Sequence, residues 1–389
     1  MKRELLILSL TIVATVTNCF TFEELKNNFI EKVESLDKPK FLEKAFRKFH
    51  QEHLESKIDG KILQSKYYPG GQIYTNQPII GVLTQPYINK AESATTYSTS
   101  FDETIIPASH IDFLEAAGAR IVPLNYKLRP NSLGKILESI NGVYIPGDQD
   151  FNLKNEKYMD AVETIMEFAL DQEIRTKKHF PVMAISYGYV ASLIGLGVKS
   201  SYIEKVPSDL INDMETVTFR GNPFNSYMLD GFTLVQAEAK YEDLVFLNEV
   251  SQGIYLKNLM KDRKLQNILN PIAVFNQPRK QPDNEIVAIV EGITFPYFGI
   301  AFSIDLIQTN IDMALQTRLE LSDKASISEA QRIANLFVDE ARLNGNRFSR
   351  AADEKDALIG NYVENLMLIN MSSPSGDFSK FLTMAYVFK

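Results

Sequence analysis

The chain has 389 residues, 45% of them hydrophobic and 23% charged, a globular balance with enough length for a core that needs no cross-links. Its net charge of −8 excludes the basic face that nucleic acid requires. No internal repeat, P-loop, G-x-G-x-x-G or metal-ligand cluster is legible, so no cofactor and no metal is expected.

The chain opens MKRELLILSLTIVATVTNCFTFEE. Lys2 and Arg3 precede an apolar run from Leu5 to Val16, too short to span a hydrocarbon core of roughly 30 Å. The pattern predicts a signal peptide over residues 1–19, cleaved after Cys19; a buried N-terminal helix is the other reading of the run. Cleavage would place the protein in the secretory pathway, for export or for a vacuole- or lysosome-like lumen, with no membrane span left. Cys19 is the only cysteine, so the mature chain would hold no disulfide and no thiolate.

Residues 20–66 read as a charged helical arm. Phe22, Leu25, Phe29, Val33 and Leu36 recur at helical spacing before Pro39, and Phe41, Ala45, Phe49 and Leu54 mark a second helix. The arm either docks on a partner or packs on the main domain. Tyr68-Pro69-Gly70-Gly71 is a turn, and the main domain is expected over 78–389.

Within that domain, strands and helices alternate. Ile79 to Leu83 is a strand buried on both faces. A helix follows from Pro107 to Ala117, with Gly118 as its C-cap. Ala119 to Leu124 is a strand, Leu133 to Ile140 a helix, Gly142 to Gly147 a strand ending in a turn, and Glu156 to Asp171 a helix. Pro181 to Ile185 is the next strand. Residues 200–285 are harder to read, with β-prone pieces at Glu215–Arg220 and Gly231–Ala237. Ile286–Glu291 and Tyr297–Phe302 read as strands joined by a hairpin-like loop, and Ser326–Leu343 as an amphipathic helix. The alternation predicts an α/β fold, a doubly wound, mostly parallel sheet flanked by helices, with its site at the C-terminal strand ends.

The strand in FPVMAISYGYV stops at Ser186, with a small residue, Ala184, two positions before it and Gly188 two positions after. This is the shape of a nucleophile elbow. Here the residues carry a resemblance. PIIGVLTQPY, FLEAAGARIVPL, SINGVYIPGD, FPVMAISYGYV and EGITFPYFGIAFSID resemble, in order, segments of the gamma-glutamyl hydrolase family, of the class I glutamine amidotransferase-like superfamily. FVDEARLN and ALIGNYVENLMLINMSS resemble its C-terminal region. The resemblance implies cleavage of gamma-linked glutamate from folylpolyglutamates and similar peptides. That chemistry takes a cysteine, a histidine base, a carboxylate that orients the base, and backbone N–H donors for the oxyanion.

Carried over by position, the nucleophile falls on Ser186, the base on Ser303 and the carboxylate on Asp305, with Ile304 in place of the motif's proline. The oxyanion donors fall on Tyr187 and on Gly147 or Asp148. Ala184 stands where the family has the elbow's first glycine, and Val190 where it has a glutamate. A serine hydroxyl needs a neighbour to take its proton, and Ser303 cannot accept one near pH 7. Asp148 sets a negative charge beside a developing oxyanion, against a stabilisation of roughly 3–4 kcal/mol per donor. Of the four histidines, His50 and His53 fall in the arm. His179 precedes Ser186 on the same strand by about 23 Å at 3.3 Å per residue. His110 lies about one turn into the first helix, whose N-terminus points to the site face, so it could approach the site; the favoured reading is an ordinary helix-surface or boundary residue.

The expected function is therefore a secretory pseudoenzyme built on the hydrolase fold, with a binding, structural or assembly role. The alternative is an active hydrolase using Ser186 with an unidentified base. The resemblance also implies a homodimer or a heterodimer with a paralogue, and a glutamyl-type ligand. Asn370-Met371-Ser372 is a sequon that would carry a glycan in that lumen.

Overall fold

The structure is a computed structural model that describes residues 72–87, 103–147, 153–207, 210, 213–220, 226–229, 246–248, 250–275, 285–305, 324–371 and 379–388. All lie in one compact unit, Gln64–Lys389. The signal segment 1–19, the arm 20–66, Asp148 and the β-prone piece at Gly231–Ala237 lie outside the described residues.

Strand β1 (Ile79–Leu83) is buried at every position, as expected of a strand covered on both faces. The short strands β2 (Gln85–Pro86) and β3 (Thr104–Pro107) follow. Helix α1 (Ala108–Glu115) starts behind Pro107, whose ring fixes φ at −58°. Gly118, at φ +92°, turns the chain into β4 (Arg120–Leu124). Helix α2 (Pro130–Leu137) begins three residues earlier than the apolar spacing indicated, because Pro130 suits the first helical turn. Next come β5 (Gly142–Ile145) and α3 (Glu156–Asp171). Asn155 caps α3 by accepting the Tyr158 N–H. Strand β6 (Val182–Ile185) runs directly into α4 (Ser186–Gly195).

The region that was hard to read supplies β7 (Ile203–Lys205), β8 (Asp213–Glu215), β9 (Val217–Phe219), β10 (Phe246–Asn248) and β11 (Gln252–Ile254). Short helices α5 (Leu256–Leu259) and α6 (Arg263–Ile268) lead into β12 (Leu269–Phe275). Strands β13 (Val287–Gly292) and β14 (Tyr297–Ile300) form the expected antiparallel hairpin. Helix α7 (Lys324–Arg342), α8 (Ala351–Ala357), β15 (Glu364–Met371) and β16 (Ser379–Phe388) complete the described chain.

The main sheet has eight strands in the order β4-β1-β5-β6-β14-β13-β12-β9. The first five are mutually parallel and the last three antiparallel, so the fold is α/β and mostly parallel through its centre. From β1 the chain crosses to β4 in one direction and then to β5 and β6 in the other. Right-handed crossovers therefore put α1 on one face and α2 and α3 on the other. In keeping with this, α2, α3 and α4 pack side by side, and α7 packs beside α1. A second sheet, β15-β16-β3-β2, has no counterpart in the sequence reading. Its middle pairing joins residues 104–107 to 385–388, a match that no local pattern announces.

Candidate active site

Strand β6 carries four buried residues and ends with Ile185 in an extended conformation. Ser186 then takes φ +52° and opens α4. A residue with a Cβ pays for that left-handed backbone, and it is the geometry of a nucleophile elbow. Ser186 is 1% exposed, and its Oγ has no hydrogen-bond partner among the described residues. No imidazole, carboxylate or amine among the described residues makes a hydrogen bond to it.

The turn after β5 meets the elbow backbone to backbone. A Cβ on Gly147 would sit 1.9 Å from the Gly188 nitrogen, and one on Gly188 would sit 2.2 Å from the Ile145 oxygen. Both positions admit only glycine. At this contact the Tyr187 N–H donates to the Gly147 carbonyl at 3.0 Å. The expected oxyanion donor is thus spent on a carbonyl, and the turn shows the elbow an oxygen where a donor was expected. Tyr158 braces the turn, its hydroxyl donating to the Pro146 carbonyl at 2.9 Å. The Tyr187 hydroxyl sits 2.8 Å from Ser251 Oγ and accepts the Ser251 N–H at 3.0 Å, which ties the elbow to the start of β11.

On the other flank of β6, Ile300 of β14 is in register with Ile185, so residues 301–305 run out beside the elbow. Ser303, at the base position, is buried. Asp305 is fully buried; its Oδ2 accepts the Ser109 hydroxyl at 2.7 Å and lies 3.1 Å from His110 Nδ1. That same nitrogen lies 3.1 Å from the Tyr144 hydroxyl of β5, and the two rings are 5.5 Å apart and tilted.

The placement of His110 corrects the sequence reading. It is not a surface or boundary residue but is fully buried. In α1 six of eight residues are buried, Ser109 and His110 among them, so the helix buries far more than one amphipathic stripe. The apolar spacing of Ile111, Phe113 and Leu114 could not reveal that. His179 precedes β6 rather than lying on it, and is buried with Nε2 2.6 Å from Glu340 Oε2. It stands at the end of β6 opposite Ser186. His50, His53 and Asp148 fall outside the described residues. Val190 and Ala184 are fully buried.

Sequence reasoning gave Glu291 no role beyond its place in a motif. In the structure its buried carboxylate accepts the Ser226 hydroxyl at 2.8 Å, the Tyr227 N–H at 3.0 Å and the Met228 N–H at 2.5 Å, fixing residues 226–229 to β13. A charged residue inside an otherwise apolar strand, VAIVEG, was the available signal. Tyr189 and Tyr297 are held well above the ordinary phenol range by burial and remain neutral, so neither serves as a base. Among the described residues no group of three or more His, Cys, Asp or Glu is arranged to hold a metal.

The profile of the Peptidase C26 family matches residues 78–199, a segment that includes the elbow. Gamma-glutamyl hydrolase B of Dictyostelium discoideum is 23% identical over 315 residues, covering 77% of this chain and 84% of that protein. The Homo sapiens gamma-glutamyl hydrolase is 23% identical over 290 residues, covering 73% and 83%. The Glycine max gamma-glutamyl hydrolase is 26% identical over 295 residues, covering 74% and 79%.

Proposed function

Since the chain belongs to the gamma-glutamyl hydrolase family and its class I glutamine amidotransferase-like superfamily, we propose that it is a member that has kept the scaffold and given up the hydrolysis. One observation carries this reading: the hydroxyl at the elbow is buried with no hydrogen-bond partner among the described residues. A serine that cannot pass on its proton is a poor nucleophile. Two further features support the reading. The base position holds Ser303, and the Tyr187 N–H is already engaged by the Gly147 carbonyl. The protein would then act by binding a glutamyl-type ligand or by assembling, with itself or with an active relative, in the lumen of the secretory pathway.

A second reading, hydrolysis by Ser186, draws on the imidazole that sits on Asp305. One experiment separates the two. Purified mature protein is incubated with a poly-gamma-glutamylated folate, and the chain length is followed by mass spectrometry. No shortening is expected. Shortening that disappears in Ser186→Ala would replace the first reading by the second. Sequencing the N-terminus of protein purified from its native source tests the compartment: a start near residue 20 is expected, and an intact Met1 would remove the secretory assignment. Asn370, in the edge strand β15, is the expected glycan site.

A further inference from the structure

Asp305 presents an electrostatic problem that the proposed reading leaves open. A fully buried carboxylate with no positive or donating partner is costly enough that proteins rarely keep one. At the family's base position this chain has Ser303, which brings no charge. Yet Asp305 persists, fully buried. Among the described residues its Oδ2 accepts the Ser109 hydroxyl at 2.7 Å and lies 3.1 Å from His110 Nδ1, both in the first turn of α1.

His110 also reaches across the site. Strand β6, which ends at Ile185 just before Ser186, lies between β5 and β14. Its Nδ1 lies 3.1 Å both from the Tyr144 hydroxyl of β5 and from Oδ2 of Asp305, beyond β14. It therefore bridges the two flanks of the strand that carries the elbow.

Resting on the reading above, we propose that His110 has taken over the carboxylate that in a working site would orient the base. It compensates Asp305 for the loss of a histidine at 303 and positions the segment 301–305 against α1. Its Nδ1 carries the proton, because an unprotonated ring nitrogen would set its lone pair against a carboxylate oxygen 3.1 Å away. The ring is held through the nitrogen that would have to be held for it to act as a base, but it is anchored from the helix. Returning a histidine to 303 would give one carboxylate two imidazoles. The chain has thus closed the simple route back to hydrolysis, and His110 must change before a restored base at 303 can be oriented.

Thermal unfolding of a two-position cycle tests this in the full chain. Ser303→His is expected to lower Tm when His110 is present. On the His110→Ala background the same change is expected to raise Tm by about 3 °C or more, because the new imidazole inherits Asp305. An equal effect of Ser303→His on both backgrounds overturns the proposal. A second measurement does not depend on how those variants fold. In protein labelled with 15N-histidine, His110 is expected to show a protonated Nδ1 whose resonance moves strongly in Asp305→Asn. A His110 signal with unprotonated Nδ1, or one indifferent to Asp305→Asn, also overturns it. Hydrolysis by the unmodified protein would remove the function proposed above, whereas these two readouts judge the His110–Asp305 pair by itself.

Discussion

At the scale of single residues the elbow shows what the chain still spends on an inherited shape. Ser186 holds φ +52° and a buried hydroxyl with no partner among the described residues. A non-glycine residue in the left-handed region costs on the order of 1–3 kcal/mol, and a working nucleophile would justify that cost by function. In an inert protein the cost is removable. Ser186→Gly is expected to stabilise by about 1 kcal/mol, a rise of roughly 2–4 °C in Tm, measured by differential scanning calorimetry. An unchanged or lowered Tm would argue that Ser186 makes an interaction that matters to the fold. The neighbouring Gly188→Ala should do the reverse, since its Cβ would meet the Ile145 oxygen at 2.2 Å. Ser186 was legible because a strand, a small residue and a glycine surround it in sequence. His110 was not, because what buries it is Asp305 and Tyr144, distant in the chain and meeting it only in the folded state.

At the scale of elements, the end of the sheet opposite the site is held by a polar clasp. His179, just before β6, sits 2.6 Å from Glu340 of α7, and its carbonyl accepts the Asn344 side-chain amide at 2.5 Å. Asn141 accepts the Ile79 N–H at 2.7 Å and donates to the carbonyls of Asn344 and Asn346, both at 2.9 Å. The entries to β1, β5 and β6 are thereby fastened to the end of α7. Removing one member of a buried polar pair leaves the other without its partner and costs about 1–3 kcal/mol. His179→Ala is therefore expected to lower Tm by roughly 3–10 °C, with part of the loss recovered when Glu340→Gln is added. A loss that is purely additive would mean that the two groups are independent. Helix α3 was readable to its ends because Asn155 caps it and its apolar residues keep one period. Strands of the parallel core were readable as unbroken apolar runs. The clasp and the second sheet were not, since both depend on pairings between distant parts of the chain.

At the scale of the whole molecule the buried and crowded carboxylates set a pH preference. Burial, and then the nearby Glu364, raise Asp112 on α1; burial, then Asp112 and Glu364, raise Glu115. Burial also raises Asp339, against the pull of Arg342, and Glu173, against the pull of His179 and Lys177. A carboxyl raised in the folded state contributes stability in full below its unfolded value, 3.8 for aspartate and 4.5 for glutamate. That contribution is lost as pH climbs through the raised folded value. Asp171 and Asp353, lowered by Arg175 and Arg350, act in the opposite sense but are exposed and screened. Tm is therefore expected to rise on going from pH 7 to about pH 5, and Glu115→Gln should raise Tm at pH 7 and flatten that rise. A Tm that falls steadily over the interval would contradict the assignment. The second sheet also orders events in time. Strand β3, which leads straight into the helix bearing Ser109 and His110, pairs on one edge with the nearby β2 and on the other with residues 385–388, and those leave the ribosome after every other described element. One edge of β3 therefore stays open until the other described elements have been made, so the sheet beside the Asp305 neighbourhood closes late, with an unpaired strand edge exposed until then.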